Sequence, residues 1–367
     1  MKLVWFKRKA QVDYLHSGLL ALVVCLLLAS TSLAQLADTR IAFMSTRSER
    51  NGEIFVMNPD GKRVRRLTEH PQYDAAPVWS PDGQKITFMS FRDEHRIQVG
   101  GIILGDIYLM NSDGTNPINL TQSMERPEGA SSWSPDGTQI AFRSAKYFRW
   151  DNLFHSDIWV MAADGGNPHN LTNHHAQDSS PDWSPDGMQI AFHSDRNMDW
   201  EFNVHREKNW EVFVMNPDGT NLINITNHPA GDGSPAWSPD GRQIAFSSTR
   251  DRNDADDENV EIYVMNADGT NPINLTNHPA KDSSPDWSPD GLQIVFTSDR
   301  DRNDDGTKNI EIYVMNADGT HPINITNHPK RDSQPSWGSV RPLGVSSKGR
   351  LVTLWGKVKR VNTYGVR

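Results

Sequence analysis

One pattern, repeated six times, constrains this 367-residue chain more than any other feature. It reads D-x-x-P-x-W-S-P-D-G-x-Q-I-A-F-x-S, then a variable stretch, then E-I-Y-V-M-N-x-D-G-T-N-x-x-N-L-T-N-H-P. Its tryptophans are Trp79, Trp133, Trp183, Trp237, Trp287 and Trp337, spaced 54, 50, 54, 50 and 50 residues apart. A fixed period of this size belongs to architectures whose units bury their apolar faces against one another.

Each unit carries four strand-like segments. The first ends at the tryptophan, and the second is the Ile-Ala-Phe run (Ile140, Ala141, Phe142 in one copy). The third is β-branched and aromatic (Ile262, Tyr263, Val264, Met265), and the last ends in Leu-Thr or Ile-Thr (Leu275, Thr276). These residue types suit a pleated surface, and Pro, Gly, Asn and Asp bound them. Ser184-Pro-Asp-Gly187 joins the first two strands and Asp268-Gly269 the last two. Both are tight hairpin signals, since Gly tolerates the positive φ these turns require. Both tight turns therefore lie at one end of the sheet.

Ile140 and Phe142 point one way and Ala141 the other, yet none is polar. Such a sheet packs on both faces, and radial stacking of four-stranded sheets around a channel satisfies it. The predicted fold is all-β, a six-bladed β-propeller of four-stranded antiparallel blades. The chain enters at a second strand (Ile41, Ala42, Phe43) and leaves a first strand near Trp337. The C-terminal strand must then complete a blade with three N-terminal ones, closing the ring non-covalently.

The Trp-Ser-Pro-Asp-Gly, Ile-Ala-Phe-x-Ser and Tyr-Val-Met-Asn-x-Asp-Gly strings resemble the propeller repeats of the TolB family, also called PD40 or WD40-like repeats. The resemblance covers roughly residues 40–338. It implies a protein-binding role in the bacterial envelope machinery that links the inner membrane to a peptidoglycan-associated lipoprotein. One departure is that nothing between residue 34 and the first strand could form the family's separate N-terminal domain. Fold alone does not fix function.

The ends add context. Lys2, Lys7, Arg8 and Lys9, the apolar run Gly18–Ala29 and Ser32-Leu33-Ala34 read as a signal peptide over residues 1–34. The run is short for a membrane span of about 20 residues. The predicted layout is thus a signal at 1–34, a propeller at 35–338 and a basic tail at 339–367, in a periplasmic or secreted protein. The one cysteine, Cys25, lies in the signal, so no disulfide staples the body. Residues 1–34 hold four basic residues and one acidic one, so the net charge of −9 becomes −12 without them. An acidic body argues against nucleic acid as partner. In contrast, residues 338–367 hold seven Lys/Arg and no Asp or Glu.

Candidate sites fall on the face opposite the tight turns, where the loops vary and binding residues concentrate. Two neighbouring loops, Ser144–Asp157 and Ser194–Glu211, are aromatic. They supply the predicted binding residues Tyr147, Phe148, Trp150, Phe154, Trp200, Phe202, Arg206 and Trp210, types that anchor interfaces and stack on sugars. Asp301, Asn303 and Asp305 space oxygen donors alternately before Gly306, a candidate calcium site; the strand context and Ile312 where the last ligand belongs exclude an EF-hand. Two further series, His70, His174, His228, His278, His328 and Asp74, Glu128, Asp178, Asp232, Asp282, Asp332, repeat too regularly for a catalytic cluster and read as loop-holding side chains. The Asn-x-Thr series from Asn119 to Asn324 reads as a strand-end signature.

The chain has no G-x-S-x-G, no H-E-x-x-H and no phosphate-cradling glycine loop. The residues therefore point to a non-enzymatic scaffold for a protein or peptide partner. Two alternatives stand beside it: a calcium-dependent propeller enzyme acting on a sugar or lactone, and a glycan-binding module using Trp150, Trp200 and Trp210 as stacking platforms.

Overall fold

The computed structural model describes residues 38–48, 51–92, 105–122, 126–148, 153–196, 209–251, 259–303 and 306–340. For residues 147, 148, 153 and 154 it describes the backbone alone. Six four-stranded antiparallel sheets make up the described chain. The Trp237 blade is representative: β16 (Asp232–Trp237), β17 (Gln243–Ser248), β18 (Glu261–Asn266) and β19 (Ile273–Asn274), in that spatial order. The closing blade has the order β24 (Asp332–Ser339), β1 (Thr39–Ser45), β2 (Glu53–Met57), β3 (Arg65–Arg66). Its register runs from Thr39 opposite Ser339 to Ser45 opposite Asp332, so the ring closes as the repeat phase requires.

The fourth strand lies slightly upstream of its predicted place. It is two residues long, centred on Ile-Asn or its equivalents, and ends before the Leu-Thr pair. The threonine serves the third strand instead: Thr276 Oγ1 accepts from Ile262 N at 3.0 Å, and Asn274 Oδ1 accepts from Thr276 N and Asn277 N. That accounts for the Asn-x-Thr series as a strand-end lock.

The core lies between blades. Ile244 and Phe246 pack with Ala191, Val212 and Val214 of the preceding blade. Ala245, on the other face, packs with Trp287, Ile294 and Phe296 of the next. Phe43, Phe88, Phe142, Phe192, Phe246 and Phe296 are fully buried. Each such side chain contributes about 1.5–3 kcal/mol by leaving water.

A bulge interrupts the pairing of every first strand, between Ser179 and Asp182 in one blade and Gly233 and Ala236 in the next. The bulged residue takes left-handed φ (Ser180 +51°, Ser234 +51°, Gln334 +55°). Its N–H turns away from its own sheet and toward the adjacent blade: Ser234 N donates to His193 Nδ1 at 3.1 Å and Gln334 N to Thr297 Oγ1 at 3.2 Å. The blades are thereby tied together along the axis.

Two of the predicted loops are not irregular. β9 (Gln139–Phe148) and β10 (Leu153–Ala162) stay paired out to Phe148 opposite Leu153. β21 (Gln293–Arg302) and β22 (Lys308–Asn316) stay paired out to Arg302 opposite Lys308. Both are hairpin arms projecting from the loop face.

Candidate functional site

The regular series of acidic and histidine residues hold the scaffold. Asp74, Asp178, Asp232 and Asp282 each accept a hydrogen bond from an arginine (Arg92, Arg196, Arg250, Arg300) at 2.6–2.7 Å, and Arg47 pairs with Asp332 in the same way. Each guanidinium also lies over the blade's buried aromatic rings, as Arg250 does over Phe246 at 5.2 Å and Tyr263 at 4.8 Å. This arginine series was overlooked in the sequence, although Ser-x-Arg follows five of the six Ile-Ala-Phe strands. The histidine Nδ1 atoms each accept the backbone N–H two residues on, at 3.1–3.2 Å. The histidine series holds its loops as expected, whereas the acidic series pairs with arginine in five blades, Glu128 has no such pair among the described residues, and one carboxylate oxygen of each of the six is buried without a hydrogen-bond partner.

The predicted aromatic site falls largely outside the described residues: Trp150, Trp200, Phe202 and Arg206 all do. Tyr147 and Phe154 are cross-strand partners near the end of the β9–β10 arm, next to Phe148 opposite Leu153. Trp210 packs edge-on against His193, ring centroids 4.8 Å apart. His193 also accepts the Ser234 N–H, and burial, aided by the Arg143 charge, lowers its pKa to about 4. Trp210 thus packs onto a neutral imidazole that helps join two blades.

Of the candidate calcium ligands, Asp305 lies outside the described residues. Asp301 sits in β21 and accepts hydrogen bonds from the Tyr313 hydroxyl and Asn324 Nδ2. Asp251 receives the same pair, from Tyr263 and Asn274, one blade earlier. Asn303 closes the tip of the arm, donating from N to Thr307 O at 2.9 Å. Among the described residues no group of three or more His, Cys, Asp or Glu could hold a metal ion.

The concave site of the described propeller lies on the axis. A cavity of about 340 Å³ opens at the tight-turn end, lined by all six repeat tryptophans and by Pro81, Pro135, Pro185, Pro239 and Pro289. It continues into a channel cavity of about 230 Å³, with Val78, Ser132, Asp182, Asp286 and Ser336 shared between the two. The mouth is built by the inner hairpins packing against one another. Gly187 (φ +73°) approaches Pro135 so closely that a Cβ would lie 3.3 Å from its Cγ, and Gly241 approaches Pro185 in the same way. Five such hairpins surround the mouth, carrying Asp82, Asp136, Asp186, Asp240 and Asp290. Farther out, the Asp-Gly turns of the last two strands add Asp60, Asp113, Asp164, Asp218, Asp268 and Asp318, all exposed. With Lys62 beside Asp60 and Arg242 beside Asp240 as partial counterweights, this end is net acidic.

The position before each tryptophan faces the channel. It is Val78, Ser132, Asp182, Ala236, Asp286 and Ser336. Asp182 Oδ2 accepts from Trp237 N at 2.7 Å and Oδ1 from Ser132 Oγ at 3.1 Å. Asp286 accepts from Trp337 N at 2.7 Å and Trp287 N at 2.8 Å. Loss of hydration among the blades raises both carboxyls to about 7, and the Asp182 charge adds to the shift at Asp286. The channel therefore offers two groups that exchange a proton near neutrality. Sequence reasoning missed them by treating the tight-turn face as uniform. The available signal was Pro-Asp-Trp in only two of the six copies.

Comparison with known proteins bears on this geometry. Residues 36–199 match the family model described as the TolB beta propeller domain. An uncharacterized protein of Agrobacterium fabrum is 28% identical over 197 residues, covering 53% of this chain and 60% of its own. The Tol-Pal system protein TolB of Alcanivorax borkumensis is 35% identical over 82 residues, 22% of this chain and 17% of its own. The chain thus spans less than two thirds of the length of either relative. Among solved structures, TolB from Acinetobacter baumannii superposes with a TM-score of 0.64 at 19% identity, covering 82% of this chain and 66% of that one. Residues 36–199 thus match TolB-type PD40 repeats, and the described chain as a whole shares the propeller fold of TolB.

Proposed function

We propose that this protein is a non-enzymatic binding scaffold of the bacterial cell envelope, exported by residues 1–34, whose propeller axis receives an extended segment of a protein partner. The observation that carries this reading is the axial mouth: a rigid cavity of about 340 Å³ lined by six tryptophans and five prolines. Preformed apolar concavities with a few polar groups at their base are where ligands bind. The indoles, each 4–8% exposed, form a rigid wall, so ordering a bound segment against it costs the protein little conformational entropy. The Tol-Pal system relatives support an envelope setting. Among the described residues no helix is long and apolar enough to cross a membrane.

The test is site-specific photocrosslinking in cells. A probe replaces Met188, an exposed residue on the inner hairpin beside Pro185, or Ile273 on the outer edge of the same ring. One discrete protein adduct from position 188 and none from 273 is the expected result. A third probe at Lys146, beside Tyr147 and Phe148, reports on the opposite face. An adduct from 146 alone would move docking to the aromatic arm, and no adduct from any position would refute the scaffold reading.

A further inference from the structure

We propose that the basic segment 341–367 of this chain docks in cis over its own tryptophan-lined mouth, so that a partner must displace it. Five blades contribute an inner hairpin to the rim of the mouth. The closing blade does not: after Trp337 the chain runs straight on through Gly338, Ser339 and Val340. Ser339 lines the mouth, and its carbonyl lies against Gly83 of the neighbouring hairpin, where a Cβ would come within 1.8 Å. Val340 packs on the core of the Trp79 blade, and its N–H donates to Asp38 O at 2.7 Å. The segment beyond therefore starts in the gap that the missing sixth hairpin leaves.

Its chemistry complements what it would cover. Residues 341–367 carry seven Lys/Arg, no Asp or Glu, and the apolar run Leu351-Val-Thr-Leu-Trp355. They lie outside the described residues. The rim opposite them carries Asp82, Asp136, Asp186, Asp240 and Asp290, with Arg242 beside Asp240 as a cation on these hairpins, around an apolar floor. Trp355 lies 15 residues beyond Val340, ample chain to cross the mouth. Residues before Thr39 leave the ring at the same place, but their apolar run and basic start are separated. Only the tail combines both features within one short stretch, which favours it as the occupant.

Tethering supplies an effective concentration on the order of 1 mM. Against a dissociation constant on the order of 0.1 mM in trans, that leaves the mouth open about one-tenth of the time. The proposal rests on the mouth being a docking surface, and its test needs only the purified full chain, so its failure is separable from failure to find a partner. With Cys25 replaced by Ser, the M188C variant is labelled with a neutral maleimide, and I273C serves as reference. Labelling at position 188 is expected to be about 10-fold slower with the native tail than with W355A/K357E/K359E/R360E. Salt at 1 M, which cuts the Debye length to about 3 Å, is expected to recover much of that difference, while labelling at position 273 responds to neither change.

Equal rates at position 188 with both tails overturn the proposal. So does slow labelling that the tail substitutions leave unchanged, which would assign the cover to the segment before Thr39. A bismaleimide bridge in M188C/T353C separates copies: a yield independent of protein concentration supports docking in cis. A yield that rises with concentration places a second copy's tail on the mouth and overturns docking in cis.

Discussion

The Trp133 blade breaks the arginine rule, and that break predicts a pH-dependent stability. Five blades open with an aspartate paired to a guanidinium; this one opens with Glu128, and an exposed Lys146 stands where the arginine belongs. Glu128 is only 6% exposed, and Ser144 Oγ donates to it at a long 3.4 Å. Burial, helped by the Asp106 charge, pushes its carboxyl from 4.5 to about 7, against the pull of Thr121, Ser144 and Arg126.

Between pH 4.5 and 7 the folded protein therefore holds a proton that the unfolded chain has released. Stability falls as pH rises across that window, because the folded state binds more protons. A pKa difference of about 2.5 at 1.36 kcal/mol each amounts to about 3 kcal/mol lost by pH 8 and nothing lost below pH 4.5.

The perturbation is Glu128→Gln, which is neutral throughout. Urea unfolding of parent and variant at pH 4 and pH 8 supplies the assay. At pH 4 the two are expected to agree within about 1 kcal/mol. At pH 8 the variant is expected to gain about 3 kcal/mol on the parent, roughly 1 M in midpoint at an m-value near 3 kcal/mol/M. Asp182, Asp286 and Glu311, also raised to about 7, steepen the parent's fall over the same range. Only the difference between the pH 4 and pH 8 comparisons isolates Glu128. A gain below about 0.5 kcal/mol would mean that this carboxyl titrates normally. A loss would mean that the ionised form is favourably held, and either result refutes the reasoning.

Other contacts give sharper stability contrasts. Arg300→Ala strands Asp282, whose side chain is 0% exposed, and should cost about 3–5 kcal/mol by thermal or urea melt; Arg242→Ala, on a side chain 85% exposed, should fall within about 0.5 kcal/mol of the parent. Gly83→Ala and Gly137→Ala share a left-handed φ, +66° and +70°, so each loses about 1–2 kcal/mol. Only Gly83 faces the Ser339 carbonyl, so its variant should lose about 1–3 kcal/mol more, and equal losses would deny that this contact secures ring closure. Asp301→Asn should lower the melting temperature by disturbing the Tyr313 and Asn324 contacts, and calorimetric titration of chelated protein with calcium should give no stoichiometric heat. A stoichiometric heat that D301N abolishes would make Asp301 a metal ligand after all.

The blade count, the strand types and the closing strand were legible because they repeat. Trp237 and Ile244 hold cross-strand register, and their equivalents do so in every blade. Periodicity could not show the axis. A strict two-residue alternation leaves open which residues face the channel once a bulge intervenes, since a one-residue shift exchanges the two faces. The bulges at Ser180 and Ser284 are where that happens, so Asp182 and Asp286 stayed hidden beside two conspicuous tryptophans. The arm at Tyr147 and Phe148 was misread for a different reason: its length departs from the repeat, and departure from a repeat looks like a loop until pairing is seen.

In a ring of near-equivalent blades, a side chain present in all six copies is explained by the blade. One present in a single copy must be explained by something else. The histidine caps and the Oδ2 atoms of the Asp–Arg pairs are accounted for within their own blades, while Oδ1 of Asp74, Asp178, Asp232, Asp282 and Asp332 is buried with no hydrogen-bond partner. Four exceptions among the described residues stand out. Glu128 lacks an arginine, two channel positions carry carboxyls where their neighbours carry Val, Ser or Ala, His193 sits under Trp210, and one rim position has a departing chain in place of a hairpin. Three of the four lie on or beside the axis, where six blades converge and side chains from all of them line a common cavity. A surface assembled from six equivalents is chemically nearly neutral to orientation. The two carboxyls and the missing hairpin give it direction, and a bound segment would be oriented by them rather than by the tryptophan and proline walls of the mouth.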